Sequence, residues 1–118
     1  DLSGFPMINF SPQANPITSD FNKQIFKKAG AQLNIVREIP NIETAAFCAS
    51  INEGMFIMPE YLRYSVGSLK TIPLSDPFAY VTLNLIWKKK NPNISIPVFV
   101  DSFSTYIQNR NPNLTPDD

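Results

Sequence analysis

The sequence predicts an α/β fold, a mixed and mostly parallel sheet with helices on both faces, and three observations carry that prediction. Strand-like and helix-like segments alternate in the order strand, helix, strand, helix, strand, short helix, strand, strand, helix. A wholly apolar run, Met55 to Met58, is bounded by Pro59, the pattern of a strand buried on both faces of a parallel sheet. Between Arg37 and Glu60 the stretch REIPNIETAAFCASINEGMFIMPE reads as strand, capped helix, left-handed turn, strand and proline stop.

Pro6 to Phe10 is the first strand. The polar, proline-punctuated SPQANP that follows is a loop at its carboxyl end, and Ser19 or Asp20 caps a helix ending at Gly30. In that helix Phe21, Ile25, Phe26 and Ala29 share one face. Lys23, Lys27 and Lys28 sit opposite, a solvated face that also complements the negative end of the helix dipole. Asn34 to Ile39 is the second strand, with β-branched Ile35, Val36 and Ile39 interrupted by Arg37 and Glu38, and Pro40 ends it. Asn41 suits a helix N-cap because its side-chain oxygen can accept from the free donors of the first turn, where Glu43 places a carboxylate.

The helix from Ile42 carries Ile42, Ala45, Ala46, Phe47, Cys48, Ala49 and Ile51 around nearly its whole circumference, which predicts packing on more than one side. Asn52 tolerates the left-handed conformation needed where the chain leaves the helix, and Glu53 and Gly54 complete the turn into the Met55 to Met58 strand. Tyr61 to Val66 is a short helix, and Gly67 and Ser68 turn the chain into a strand over Leu69 to Leu74. After a turn at Ser75, Asp76 and Pro77, Val81, Leu83, Leu85 and Trp87 alternate with Thr82, Asn84, Ile86 and Lys88, a period-two strand with one buried face. Lys88 to Lys90 closes that strand at the surface. The last helix, near Pro97 to Gln108, has Pro97 in its first turn and an apolar stripe of Phe99, Phe103, Tyr106 and Ile107 that needs a partner.

Composition bounds the function. At 118 residues the chain is about one domain, large enough to bury about 65 to 70% of its unfolded surface. Apolar content of 43% with 17% charge is globular. A formal net charge of zero gives no electrostatic footprint for DNA or an anionic membrane. No apolar run reaches the ~20 residues of a membrane helix, and the N-terminus lacks the basic-then-apolar pattern of a signal peptide. The single cysteine, Cys48, cannot form an internal disulfide, and on an apolar helix it reads as a small core residue rather than a reactive thiol. There is no histidine, no Cys cluster, no phosphate-cradling Gly loop and no Gly-x-Ser-x-Gly elbow. The sequence therefore predicts no catalytic residue, metal site or cofactor, and the chain does not read as an enzyme. The sequons Asn93-Ile94-Ser95 and Asn113-Leu114-Thr115 read as chance matches in Asn-rich segments.

The stretch from Arg37 to Glu60 resembles the effector-binding domain of LysR-type transcriptional regulators. The family pattern here is a Ser/Leu/Glu-type helix start, Val-Ala-x-Gly-x-Gly, three or four apolar residues and Pro. Asn52 stands where the family has its first Gly of that turn, and Gly54 where it has the second. Asp1 to Phe10 (DLSGFPMINF) is similar to the family's entry into its second lobe, Thr71 to Leu74 to the strand before the crossover, and Leu83 to Trp87 (LNLIW) to the returning hinge strand. The last helix also has a family counterpart, and only the tail after about Asn109 falls outside. The resemblance implies a periplasmic-binding-protein-like lobe. Residues 1–82 would be the second lobe, 83–109 the returning hinge strand and C-terminal helix that belong to the first lobe, and 110–118 a flexible tail. It further implies a fragment of a longer cytoplasmic regulator, lacking most of lobe one and the winged helix-turn-helix through which DNA is bound.

In open α/β sheets ligands sit beyond the carboxyl ends of strands, where helix N-termini present free N–H groups. Three segments answer that description: Asn9 to Ser11, Asn41 to Thr44, and the Gly54 to Phe56 turn. With the resemblance they give Phe10, Ser11, Asn41, Ile42, Glu43, Thr44, Met55 and Phe56 as candidate contacts to a small-molecule effector. Asn41 and Glu43 serve equally well as helix caps, and Phe10 as core. If Glu43 faces the cleft, its carboxylate favours a neutral or amine-bearing ligand over a dicarboxylate. The resemblance also implies self-association, as a dimer or higher, through the helix Asp20 to Ala29 and the edge strand Leu33 to Val36, with Phe21, Ile25, Lys28, Leu33 and Ile35 as contacts. Half of the cleft would lie in lobe one, so the chain alone is expected to bind effector weakly or not at all. The alternative is a lobe of a transport-associated solute-binding protein, which would need a signal peptide upstream. A small enzyme on the same lobe would need acid, base or nucleophile from other residues.

Overall fold

β1 (Pro6–Phe10) and β2 (Asn34–Ile39) lie side by side as a parallel two-stranded sheet in the computed structural model, which describes residues 2–110. Pro6 stands opposite Asn34 and Phe10 opposite Ile39, and the register slips between Met7 and Ile8, where Val36 is skipped. The chain divides into two compact units, Asp1–Thr82 and Leu83–Asp118.

In the first unit the helices α1 (Pro16–Lys28) and α2 (Ile42–Ser50) cover opposite faces of β1. Successive strand side chains point to opposite faces. Ile8 and Phe10 pack with Ile39 of β2 and with Ala45 and Cys48 of α2. Asn9, on the other face, hydrogen-bonds to Ser19 and Asn22 of α1. Ile8 and Ile39 are each 1% exposed, and burying a side chain of that size contributes about 1.5 to 3 kcal/mol. Cys48 is a core residue, as its surroundings in the sequence predict.

α1 starts earlier than predicted. Asn15, not Ser19 or Asp20, is the N-cap: its Oδ1 accepts from the Thr18 backbone N–H at 3.1 Å. Pro16 fits the next position because its fixed φ is helical and its missing N–H has no helical partner there. Gly30, at φ +64°, lets the chain leave the helix as expected.

α2 follows the predicted cap at Asn41, and Asn52 occupies the left-handed region at φ 59°. The predicted packing on more than one side is met in part: α2 lies against both strands and also against the 3-10 helix formed by Glu60–Val66, with Ala45 and Cys48 buried, while Phe47 and Ile51 are mostly exposed. Met55 to Met58 is not a buried strand. Met55 forms one parallel bridge to Met7, through Met55 N–H to Pro6 O (2.9 Å) and Ile8 N–H to Met55 O (2.7 Å), and no strand continues from it. Gly54 permits that approach, since a Cβ there would lie 2.8 Å from the Pro6 carbonyl oxygen.

A 3-10 helix (Glu60–Val66) replaces the expected short helix, and of its residues Val66 is buried. Leu69 to Leu74 and Val81 to Trp87 form no strand. Period-two patterning creates a strand only where a neighbouring edge accepts its hydrogen bonds. Neither segment pairs with β1 or β2, the two strands among the described residues.

In the second unit α3 (Ser95–Arg110) begins two residues before Pro97, with the Asn93 side chain accepting from Ser95 N–H at 2.9 Å. The rings of Phe99 and Phe103 stack at 5.8 Å, and no residue of the helix is buried. Leu85, Ile86, Trp87, Ile96, Phe99 and Val100 line an apolar cleft of about 300 Å³. The expected flexible tail from residue 111 onward and the second sequon lie outside the described residues. Among the described residues no helix is long and apolar enough to cross a membrane.

Candidate functional site

Parallel pairing brings the carboxyl ends of β1 and β2 to the same side. Ser11 N–H donates to Ile39 O at 2.8 Å, tying those two ends together directly. Ser11 also organises the loop beyond it. Its hydroxyl donates to Gln13 Oε1 at 2.7 Å and accepts from Gln13 N–H at 3.3 Å, while its carbonyl accepts from Ala14 N–H and Asn15 N–H. That loop delivers Asn15 to the cap of α1.

Two residues past Ile39, Asn41 caps α2. Its Oδ1 accepts from Thr44 N–H at 2.9 Å and from the Thr44 hydroxyl at 2.8 Å. The cap oxygen is therefore committed within the protein, and the Asn41 amide nitrogen is the part of that side chain left for another group. Glu43 is exposed in the first turn of α2. There its carboxylate meets the positive end of the helix dipole and reduces the site's attraction for an anion.

The structure thus brings Ser11, Asn41, Ile42, Glu43 and Thr44 to the carboxyl end of the sheet. Phe10 is 8% exposed and belongs to the core, and Ile42 and Phe56 are half-buried against the same cluster. Met55 is not brought to this end. It bridges to Met7, in the amino-terminal half of β1. A turn that leads into a parallel strand sits at the amino edge of the sheet, whereas ligands gather at the carboxyl edge. Gln13 is a further polar side chain at this end; the only signal for it is its place in the SPQANP loop directly after a strand.

A polar cluster that sequence reasoning missed lies on the α2 side. Arg37 of β2 forms an ion pair with Glu53, and the Glu53 backbone N–H donates to the Cys48 carbonyl at 3.0 Å, which sets the carboxylate near the Cys48 thiol. The hydrogen bond from Arg37, followed by the nearby Cys48 thiol, holds the Glu53 carboxyl below its ordinary range. The nearby Glu53 carboxylate and burial together push the Cys48 thiol up, so it stays protonated and unreactive at neutral pH. Among the described residues no group of three or more His, Cys, Asp or Glu could hold a metal ion.

Of the candidate self-association residues, Ile25 is 6% exposed and faces inward, while Phe21, Leu33 and Ile35 are half-buried and Lys28 is exposed. A family model described as LysR substrate binding domain matches residues 1–106. No curated protein and no solved structure matches the chain.

Proposed function

The chain belongs to the LysR substrate binding domain family, and from that membership we propose that it is the effector-sensing part of a transcriptional regulator. As a domain of that family it has the periplasmic-binding-protein-like α/β fold and a ligand-binding role in regulation. The effector is a small metabolite held at the carboxyl end of β1 and β2 by Ser11, Asn41, Ile42, Glu43 and Thr44, with Phe10 and Phe56 beneath them. Glu43 selects a neutral or amine-bearing molecule.

The observation that carries this reading is the Ser11 to Ile39 hydrogen bond, which joins two parallel strand ends beside the N-terminus of a capped helix. That arrangement offers backbone donors and short polar side chains to a small polar ligand. In this reading the ligand favours one arrangement of two lobes. A cytoplasmic, self-associated regulator then passes the change to a winged helix-turn-helix on a separate segment, the part that touches DNA. Only a difference in affinity between the two arrangements can drive such a switch. The domain acts as a sensor and not as a catalyst.

The test is to read the coding frame upstream of Asp1. A winged helix-turn-helix followed by a first lobe is the expected result. A signal peptide followed by a lobe would replace the regulator with a solute-binding protein.

A further inference from the structure

The inward face of α1 is divided in character. Ile25 and Phe26 bury apolar surface at its carboxyl half, while Ser19 and Asn22 are buried at its amino half, 2% and 5% exposed. Both polar residues meet one partner, Asn9 of β1, itself 2% exposed. Asn9 Nδ2 donates to the Ser19 carbonyl at 3.4 Å and to its hydroxyl at 3.3 Å, and Asn9 Oδ1 accepts from Asn22 Nδ2 at 3.0 Å. No buried side-chain polar atom among the described residues is left without a partner.

We propose that Asn9 is a positioning residue that fixes the rotation of α1 about its axis, and so decides which side chains of α1 are offered to a second copy of this chain. The proposal rests on the reading that the domain self-associates through α1 and β2. Ile25 and Phe26 alone would tolerate other rotations, because apolar contact is not directional. The Asn9 amide is directional: it has donors on one side and an acceptor on the other, and Ser19 and Asn22 match them in one arrangement. One residue of an α-helix turns by about 100°. A rotation of that size would carry Phe21 and Lys28, on the flank of the buried face, either under the helix or fully into solvent.

The experiment replaces the whole network with apolar residues in one variant, Asn9→Leu/Ser19→Ala/Asn22→Leu, so that no buried polar group is left unpaired. Sedimentation equilibrium reads self-association and circular dichroism reads the thermal midpoint. In parallel, Phe21→Trp in a Trp87→Phe background reports the surroundings of position 21 by its emission. The expected result is a folded triple variant whose midpoint matches the wild type, whose association is weaker by about tenfold or more, and whose position-21 emission shifts. Association and emission equal to the wild type would overturn the proposal. So would a triple variant that fails to fold, since the network would then supply stability and not orientation. A wild-type chain that stays monomeric at every concentration would sink the association reading, and the emission shift would still decide whether Asn9 sets the rotation.

Discussion

Glu53, in the turn after α2, is ion-paired with Arg37 at the centre of β2, and its backbone N–H donates to the Cys48 carbonyl of α2 at 3.0 Å. One residue thereby joins three pieces of the chain: strand, helix and exit turn. The Arg37 guanidinium, before all else, holds the Glu53 carboxyl below the ordinary carboxylate range. The Arg37 guanidinium, raised in turn by Glu53, stays charged throughout.

The pH dependence follows with a definite sign. The unfolded chain takes up a proton at Glu53 at about pH 4.3, before the folded chain does, so between the two pKa values the unfolded state binds more protons and stability rises with pH. The contribution is fully present above that range and is lost as pH falls through the folded value. Both side chains are partly exposed, so the effect is modest and weakens with salt. Thermal midpoints of wild type and Glu53→Gln should differ at pH 6 to 7 and converge at pH 2 to 3. Parallel curves across the range would show that the pair contributes nothing.

Asn52 should resist replacement by any residue with a bulky Cβ. At φ 59° the left-handed region costs an ordinary L-residue about 1 to 2 kcal/mol, and Asn less. Denaturant titration should therefore find Asn52→Gly within about 0.5 kcal/mol of wild type and Asn52→Ala destabilised by about 1 kcal/mol. Equal stability of the two variants would mean that the turn relaxes out of that conformation.

Gly54 is needed for space and not for a positive φ. A Cβ at this position would stand 2.8 Å from the Pro6 carbonyl oxygen and 3.3 Å from Ile8 Cγ1. Gly54→Ala should push the exit chain off β1 and break the Met55 bridge, at a cost of about 1 to 3 kcal/mol. Hydrogen exchange localises the effect: the amides of Ile8 and Met55, which make that bridge, should lose protection while Ser11, bonded to β2, keeps it.

What could be read from the sequence was local chemistry. The Asn41 cap, the left-handed Asn52 and the limits of both strands follow from side chains acting on their own backbone, so a single sequence contains the information. The misplaced elements depend on partners. Leu83 to Trp87 alternates as a strand should, yet alternation states only which side would be buried and not whether an edge is present to pair with. Met55 reads as a ligand-end residue in the sequence because a turn and an apolar run look alike at either end of a sheet. Only the pairing with Met7 shows that it lies at the amino edge. The Asn9, Ser19 and Asn22 network joins residues 10 and 13 positions apart, with no motif to announce it.

The ligand class can be tested through Glu43. Its carboxylate sits exposed in the first turn of α2, where an unpaired helix N-terminus would otherwise attract an anion. Saturation-transfer NMR suits the weak affinity expected of this chain, with amines, neutral polar molecules and dicarboxylates as probes at millimolar concentration. Wild type should respond to amine-bearing or neutral probes more than to dicarboxylates, and Glu43→Gln should reverse that order. Helix–charge interactions of about 0.3 to 1 kcal/mol correspond to a change in relative affinity of about two- to fivefold. Ser11→Ala should weaken the response to every class, since it removes the hydroxyl that orders Gln13 and the loop beside the site. A preference that survives Glu43→Gln unchanged would place the ligand elsewhere, because no other acidic side chain lies in the first turn of α2.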